Sequence, residues 1–158
     1  MTDIPKHSYW DSLPSQEFLT ENGHVGDCWA CCVAAVTNIP RAEVPHFVQA
    51  SEAKTSQGYL EDTQRWLNAR GYVLARISRG ELSFHRYHKD NLILPAVITC
   101  GPSPRSTRMG RHHAVVYVGH NMVYDPHPSK AGLTYISDQY LVFSSIKYLQ
   151  EIDYGQSS

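Results

Sequence analysis

The sequence is poor in charge and has no surplus of either sign: charged residues make up 18% of the chain, and the formal net charge is -1. That balance gives no general attraction to nucleic acid or to an anionic membrane. No apolar run reaches the length of a membrane span, and Met1-Thr2-Asp3-Ile4-Pro5-Lys6-His7 lacks the apolar core of a secretion signal. The expectation is therefore a cytoplasmic protein with reduced thiols. No glycine-rich phosphate loop, dinucleotide fingerprint or G-x-S-x-G elbow occurs. Internal repeats and low-complexity tracts are absent too. The 158 residues suit a single domain, with an irregular arm over 1–25 and a frayed tail over 153–158.

One stretch organises the rest, Gly26-Asp27-Cys28-Trp29-Ala30-Cys31-Cys32-Val33-Ala34-Ala35-Val36-Thr37-Asn38. It has almost no polar face, and its small residues permit close approach, so it reads as a central helix covered on most sides. Asp27 is expected to cap it, its carboxylate accepting from the free amides of the first turn. Asn38-Ile39-Pro40 stops it, since proline cannot donate to the preceding turn. Cys28 is then the first helical residue, where the partial positive charge of the free amides favours a thiolate. Cys31, Cys32 and Cys100 read as small core hydrophobes.

Along the chain, residues 41–48 predict a short turn or a single helical turn, and Tyr59 to Arg70 a second helix. Leu60, Thr63, Trp66 and Leu67 lie at helical spacing there, with Gly71 as the C-terminal cap. The period then changes to that of strands, at 72–77, 93–100, 113–118, 122–125 and 141–146. The expected fold is α+β, with the Cys28 helix packed across an antiparallel sheet of these five strands. Arg105, Arg108 and Arg111 belong to a solvated basic loop that could touch substrate; they lack the interleaved aromatics of a nucleic-acid patch.

Strand side chains alternate, so only one of His112 and His113 can face the cysteine. A three-residue turn over Gly119-His120-Asn121 pairs Val115 with Asp125, placing His113 and Asp125 on one face; a two-residue turn would separate them. Choosing His113 also turns the His113, Val115 and Tyr117 face toward the helix. Cys28, His113 and Asp125 together make a set in which the imidazole takes the thiol proton while the carboxylate fixes the ring. With nine histidines in the chain, some coincidence is expected. Cys28-Trp29-Ala30-Cys31 is also a C-x-x-C pair, so two other chemistries stay open. A redox pair would normally follow a strand, and the residues before Cys28 read as loop. A zinc site would need further ligands, for which His46, His112, His113 or His127 are available, but zinc-finger spacing is absent.

Gly26-Asp27-Cys28-Trp29-Ala30-Cys31, the strand His113-Ala114-Val115-Val116-Tyr117-Val118-Gly119 and Val123-Tyr124-Asp125-Pro126 resemble, in this order, the anchors of papain-like cysteine peptidases. Within them the anchors are similar to those of the compact bacterial and phage branch that includes bacteriocin-processing peptidases. The resemblance covers about a third of the chain. It implies a papain-like α+β fold and a thiol hydrolase acting on a peptide, isopeptide or other amide bond of a peptide or protein substrate, with no cofactor and no metal. Cys28 would be the nucleophile, His113 the base and Asp125 its orienting partner. The family's oxyanion glutamine would fall at Asn22, whose side chain is shorter; the Cys28 amide is a second donor. A non-catalytic binding module on the same fold and a cysteine acyltransferase are the alternative readings, since fold does not fix reaction.

Overall fold

The computed structural model describes residues 9–17, 26–51, 58–77, 95–105 and 112–144. The elements are α1 (Cys28–Thr37), α2 (Phe47–Ser51), α3 (Gly58–Asn68), β1 (Tyr72–Ile77), β2 (Ala96–Gly101), β3 (His113–Val118), β4 (Asn121–Tyr124) and β5 (Asp138–Ser144), with short 3-10 turns at Tyr9–Ser12 and Arg41–Glu43. The protein is α+β: five strands form one antiparallel sheet in the order β1-β5-β2-β3-β4, and α1 packs across β3 and β2.

The apolar run of the sequence becomes α1, with Trp29 to Ala35 all buried. Asn38, in the left-handed conformation at φ 56°, ends it before Pro40 is reached. Trp29 ties the helix to α3 through Nε1, which donates to Thr63 Oγ1 at 2.9 Å, and meets Tyr59 and Tyr140 edge-on. α3 presents Thr63 and Leu67 to the core and closes at Gly71, where φ is 79°. The N-terminal segment lies against this core. Tyr9 donates to the Ala35 carbonyl at 2.8 Å, Tyr124 donates to the Pro14 carbonyl at 2.7 Å, and the Gln16 amide donates to the Pro126 carbonyl at 2.7 Å.

Asp27 stands before α1, but its carboxylate does not cap the helix. It accepts from Arg41 Nη2 at 2.7 Å, with the Cys31 thiol 3.8 Å away. In a fully buried position a guanidinium is a stronger partner than a neutral amide, which explains the departure from the expected cap. Removing the cation would leave that carboxylate buried. Arg41→Ala is expected to destabilise the fold by about 2–3 kcal/mol, below the full cost of breaking a buried pair because water can enter beside the partly exposed Arg41 head. Urea unfolding measures it.

The hairpin departs from the expected turn. Asn121 pairs with Val118, so the turn holds two residues, Gly119 and His120, and Gly119 takes φ 61° as its first central residue. A bulge follows: Tyr117 pairs with Met122, but Val116 pairs with Tyr124, leaving Val123 as an extra residue. The two-residue turn shifts the register by one, and the bulge shifts it back. The continuation past Tyr124 therefore brings Asp125 to the His113 side, as the three-residue turn would have done. β2 and β5 also start later or earlier than expected, at Ala96 and Asp138, while positions 93–94 and 145–146 lie outside the described residues.

Candidate active site

His113 opens β3, Cys28 opens α1, and Asp125 follows the last residue of β4. His113 Nε2 and Asp125 Oδ1 are 2.7 Å apart, and both residues are buried. Because that contact occupies Nε2, Nδ1 is the nitrogen left for the thiol, and the Cys28 side chain acts on His113 to favour its charged form. Cys28 is half-buried, whereas Cys31, Cys32 and Cys100 are buried, and all four thiols are free. The structure thus brings three of the four expected site residues together. Asn22, the fourth, lies outside the described residues. His112 is exposed, one residue before the strand.

The face of the sheet that meets the helix is not the expected one. Ala114 and Val116 join the buried cluster around α1, whereas Val115, on the His113 side by alternation, does not. His113 still meets Cys28 because each is the first residue of its element, at the rim of the packing rather than within it.

The Asp125 carboxylate is held from three directions. Oδ1 accepts the His127 amide at 2.9 Å as well as His113, and Oδ2 accepts the Gly132 amide at 2.8 Å. Lys130 Nζ donates to the Asp125 carbonyl at 2.6 Å. Burial alone would raise the Asp125 pKa, but the His113 hydrogen bond and the two amides outweigh it and bring it down to about 2. For His113 burial again acts against charge. The hydrogen bond with Asp125 and the Cys28 side chain prevail and raise its pKa to about 9. A proton taken from the thiol is therefore well held on this imidazole.

Cys31 is placed for a different task from Cys28. Burial, then the Asp27 charge, pushes its thiol up to about 11. It lines a cavity of about 240 Å³ together with Tyr9, Leu13, Ala34, Ile39 and Tyr124, and neither Cys28 nor His113 borders that space. Burial likewise raises the Cys32 and Cys100 thiols. Among the described residues, no group of three or more His, Cys, Asp and Glu side chains is arranged to hold a metal ion. Nor is any helix among them long and apolar enough to cross a membrane.

The sequence points to His127 only as an available zinc ligand and gives no role beside Asp125 to it or to Ser129, Lys130 and Gly132 in the loop after Asp125. The one signal was the run Asp125-Pro126-His127-Pro128-Ser129 followed by Gly132, a composition typical of a tight loop that folds back on its own aspartate. Gly132 takes φ 69°, which lets its amide turn inward. Farther on, the loop lies against the end of β2, where a side chain on Gly101 would sit 2.0 Å from the Tyr135 carbonyl oxygen. No family model, curated protein or solved structure matches the chain.

Proposed function

We propose that this protein is a papain-like thiol hydrolase that cleaves a peptide, isopeptide or other amide bond. The observation that supports this most is one imidazole, His113, bonded to the buried Asp125 carboxylate and favoured in its charged form by the half-buried Cys28 side chain at a helix start. Cys28 Sγ attacks the substrate carbonyl as its proton passes to His113, and the carbonyl oxygen takes up the negative charge. The first-turn amides of α1 have no partner one turn back, so the Cys28 N–H is available to that oxyanion, with Asn22 as the second donor in this scheme. Collapse of the tetrahedral species breaks the C–N bond, and His113 returns the proton to the leaving amine. Water, deprotonated by His113, then attacks the thioester, releasing the acid and restoring the thiol.

Iodoacetamide at pH 6–7, followed by intact mass and peptide mapping, tests the reading. Cys28 is expected to be carboxamidomethylated first, with Cys31, Cys32 and Cys100 labelled only on unfolding. Cys28→Ala is expected to abolish this reaction and turnover while keeping the unfolding free energy within about 1 kcal/mol of the unaltered chain, because one half-buried sulfur is removed from the edge of the core. Equal labelling of all four thiols would favour a binding module without catalysis.

A further inference from the structure

Beside His113 stands a second imidazole that the proposed chemistry does not use. The His127 ring meets the His113 ring edge to face, with centroids 6.1 Å apart. Its Nδ1 accepts the Ser129 amide at 3.0 Å, and an amide can only donate, so in the neutral ring the proton sits on Nε2. Arg105 Nη1 donates to Ser129 Oγ at 2.6 Å, and that hydroxyl lies 2.9 Å from His127 Nδ1. A guanidinium can only donate as well, so the hydroxyl proton is directed to Nδ1. The chain Arg105, Ser129, His127 therefore fixes one tautomer. Among the described residues His127 Nε2 has no hydrogen-bond partner, and Arg105 uses only Nη1.

Burial, reinforced by the charges of Arg105 and His113, lowers the His127 pKa. The ring is thus a neutral donor at pH 7 next to an exposed cation. Lys130 adds a third positive or donating group, while the nearby carboxylate, Asp125, is already engaged with His113. The corner is rich in donors and short of free acceptors, and its complement is an anionic acceptor.

We propose that Arg105 and His127 anchor a carboxylate of the substrate close to the scissile bond, so that the preferred substrate is an acidic peptide or one ending in a free carboxylate there. The proposal rests on the thiol-hydrolase reading. It makes Arg105 and His127 specificity residues, since they bind a part of the substrate that does not react.

Two small alkylating reagents of nearly equal shape, iodoacetate and iodoacetamide, test it on the full chain. The rate of Cys28 modification by each is measured at pH 7 and low salt, and their ratio is compared between variants, so that the charge of His113, common to all, cancels. Arg105→Gln is expected to lower the iodoacetate-to-iodoacetamide ratio about two- to threefold, as loss of one partly screened charge near the site predicts. Arg105→Lys is expected to keep most of the ratio. His127→Asn retains an acceptor for the Ser129 amide but removes the Nε2 donor, and is expected to lower the ratio too. An unchanged ratio in Arg105→Gln would overturn the carboxylate anchor while leaving the hydrolase reading in place. If neither reagent modifies Cys28 in the unaltered chain, the hydrolase reading fails and the proposal with it.

Discussion

His113→Ala is expected to slow acylation of Cys28 by about 10²–10⁴-fold, while His112→Ala keeps most of the unaltered rate. The burst of p-nitrophenolate released from p-nitrophenyl acetate measures this without a known natural substrate. The two histidines are neighbours in sequence but not in environment. His113 is 7% exposed and bonded to Asp125, whereas His112 is exposed and precedes the strand. In His113→Ala nothing else among the described residues replaces the lost base, because the nearest other ring, His127, has Nδ1 committed to Ser129 and a proton on Nε2. It could donate there but not accept. The buried Asp125 would also lose the cation it orients, so the variant is expected to be less stable by about 1–3 kcal/mol, and urea unfolding must accompany the rate measurement. Comparable losses in the two histidine variants would remove His113 from its assigned role.

How far the sequence revealed this site depends on the kind of interaction involved. The helix at Cys28 and the strand at His113 were legible because long apolar stretches declare their period and their burial together. The side on which Asp125 emerges was legible only in outcome. A turn one residue shorter than expected and a bulge at Val123 cancel each other, and neither has a strong local signature. Asp27 departs from the expected cap for a related reason. Its position before the helix was evident, but its choice of Arg41 over the first-turn amides depends on a tertiary contact made fourteen residues later. The same holds for the loop after Asp125, whose amides find the carboxylate only once the hairpin has placed it. Local propensity thus locates Cys28 and His113, while long-range partners set the electrostatics of His113 and Asp125.

Asp125→Asn is expected to cut the acylation rate by roughly 10²-fold or more and to move the His113 titration from about 9 toward the ordinary value of 6.5. The geometry explains why an isosteric change is so damaging. Asp125 Oδ1 receives His113 Nε2 and the His127 amide, and Oδ2 receives the Gly132 amide, so both oxygens must accept. An asparagine offers one acceptor and one donor. If its oxygen faces His113, its NH₂ confronts the Gly132 N–H; if it is flipped, the NH₂ confronts the His127 N–H and forces His113 Nε2 to accept. The flipped form places the imidazole proton on Nδ1, toward Cys28, where the ring can no longer take the thiol proton. The sign of the pH effect follows from the direction of the shift. The His113 pKa is raised on folding, so its stabilising contribution is complete below about pH 6.5 and is lost as pH rises through about 9. The Asp125 pKa is lowered, so its contribution is present above about pH 4 and is lost as pH falls toward 2. In Asp125→Asn the alkaline loss of stability should therefore still begin near pH 6.5 but end at lower pH and be smaller, and the acid loss belonging to Asp125 should disappear. NMR titration of the His113 ring protons from pH 5 to 10, with urea unfolding over the same range, reads both effects. An unmoved His113 titration would show that Asp125 does not hold the proton on this imidazole, and the pairing of base and carboxylate would have to be abandoned.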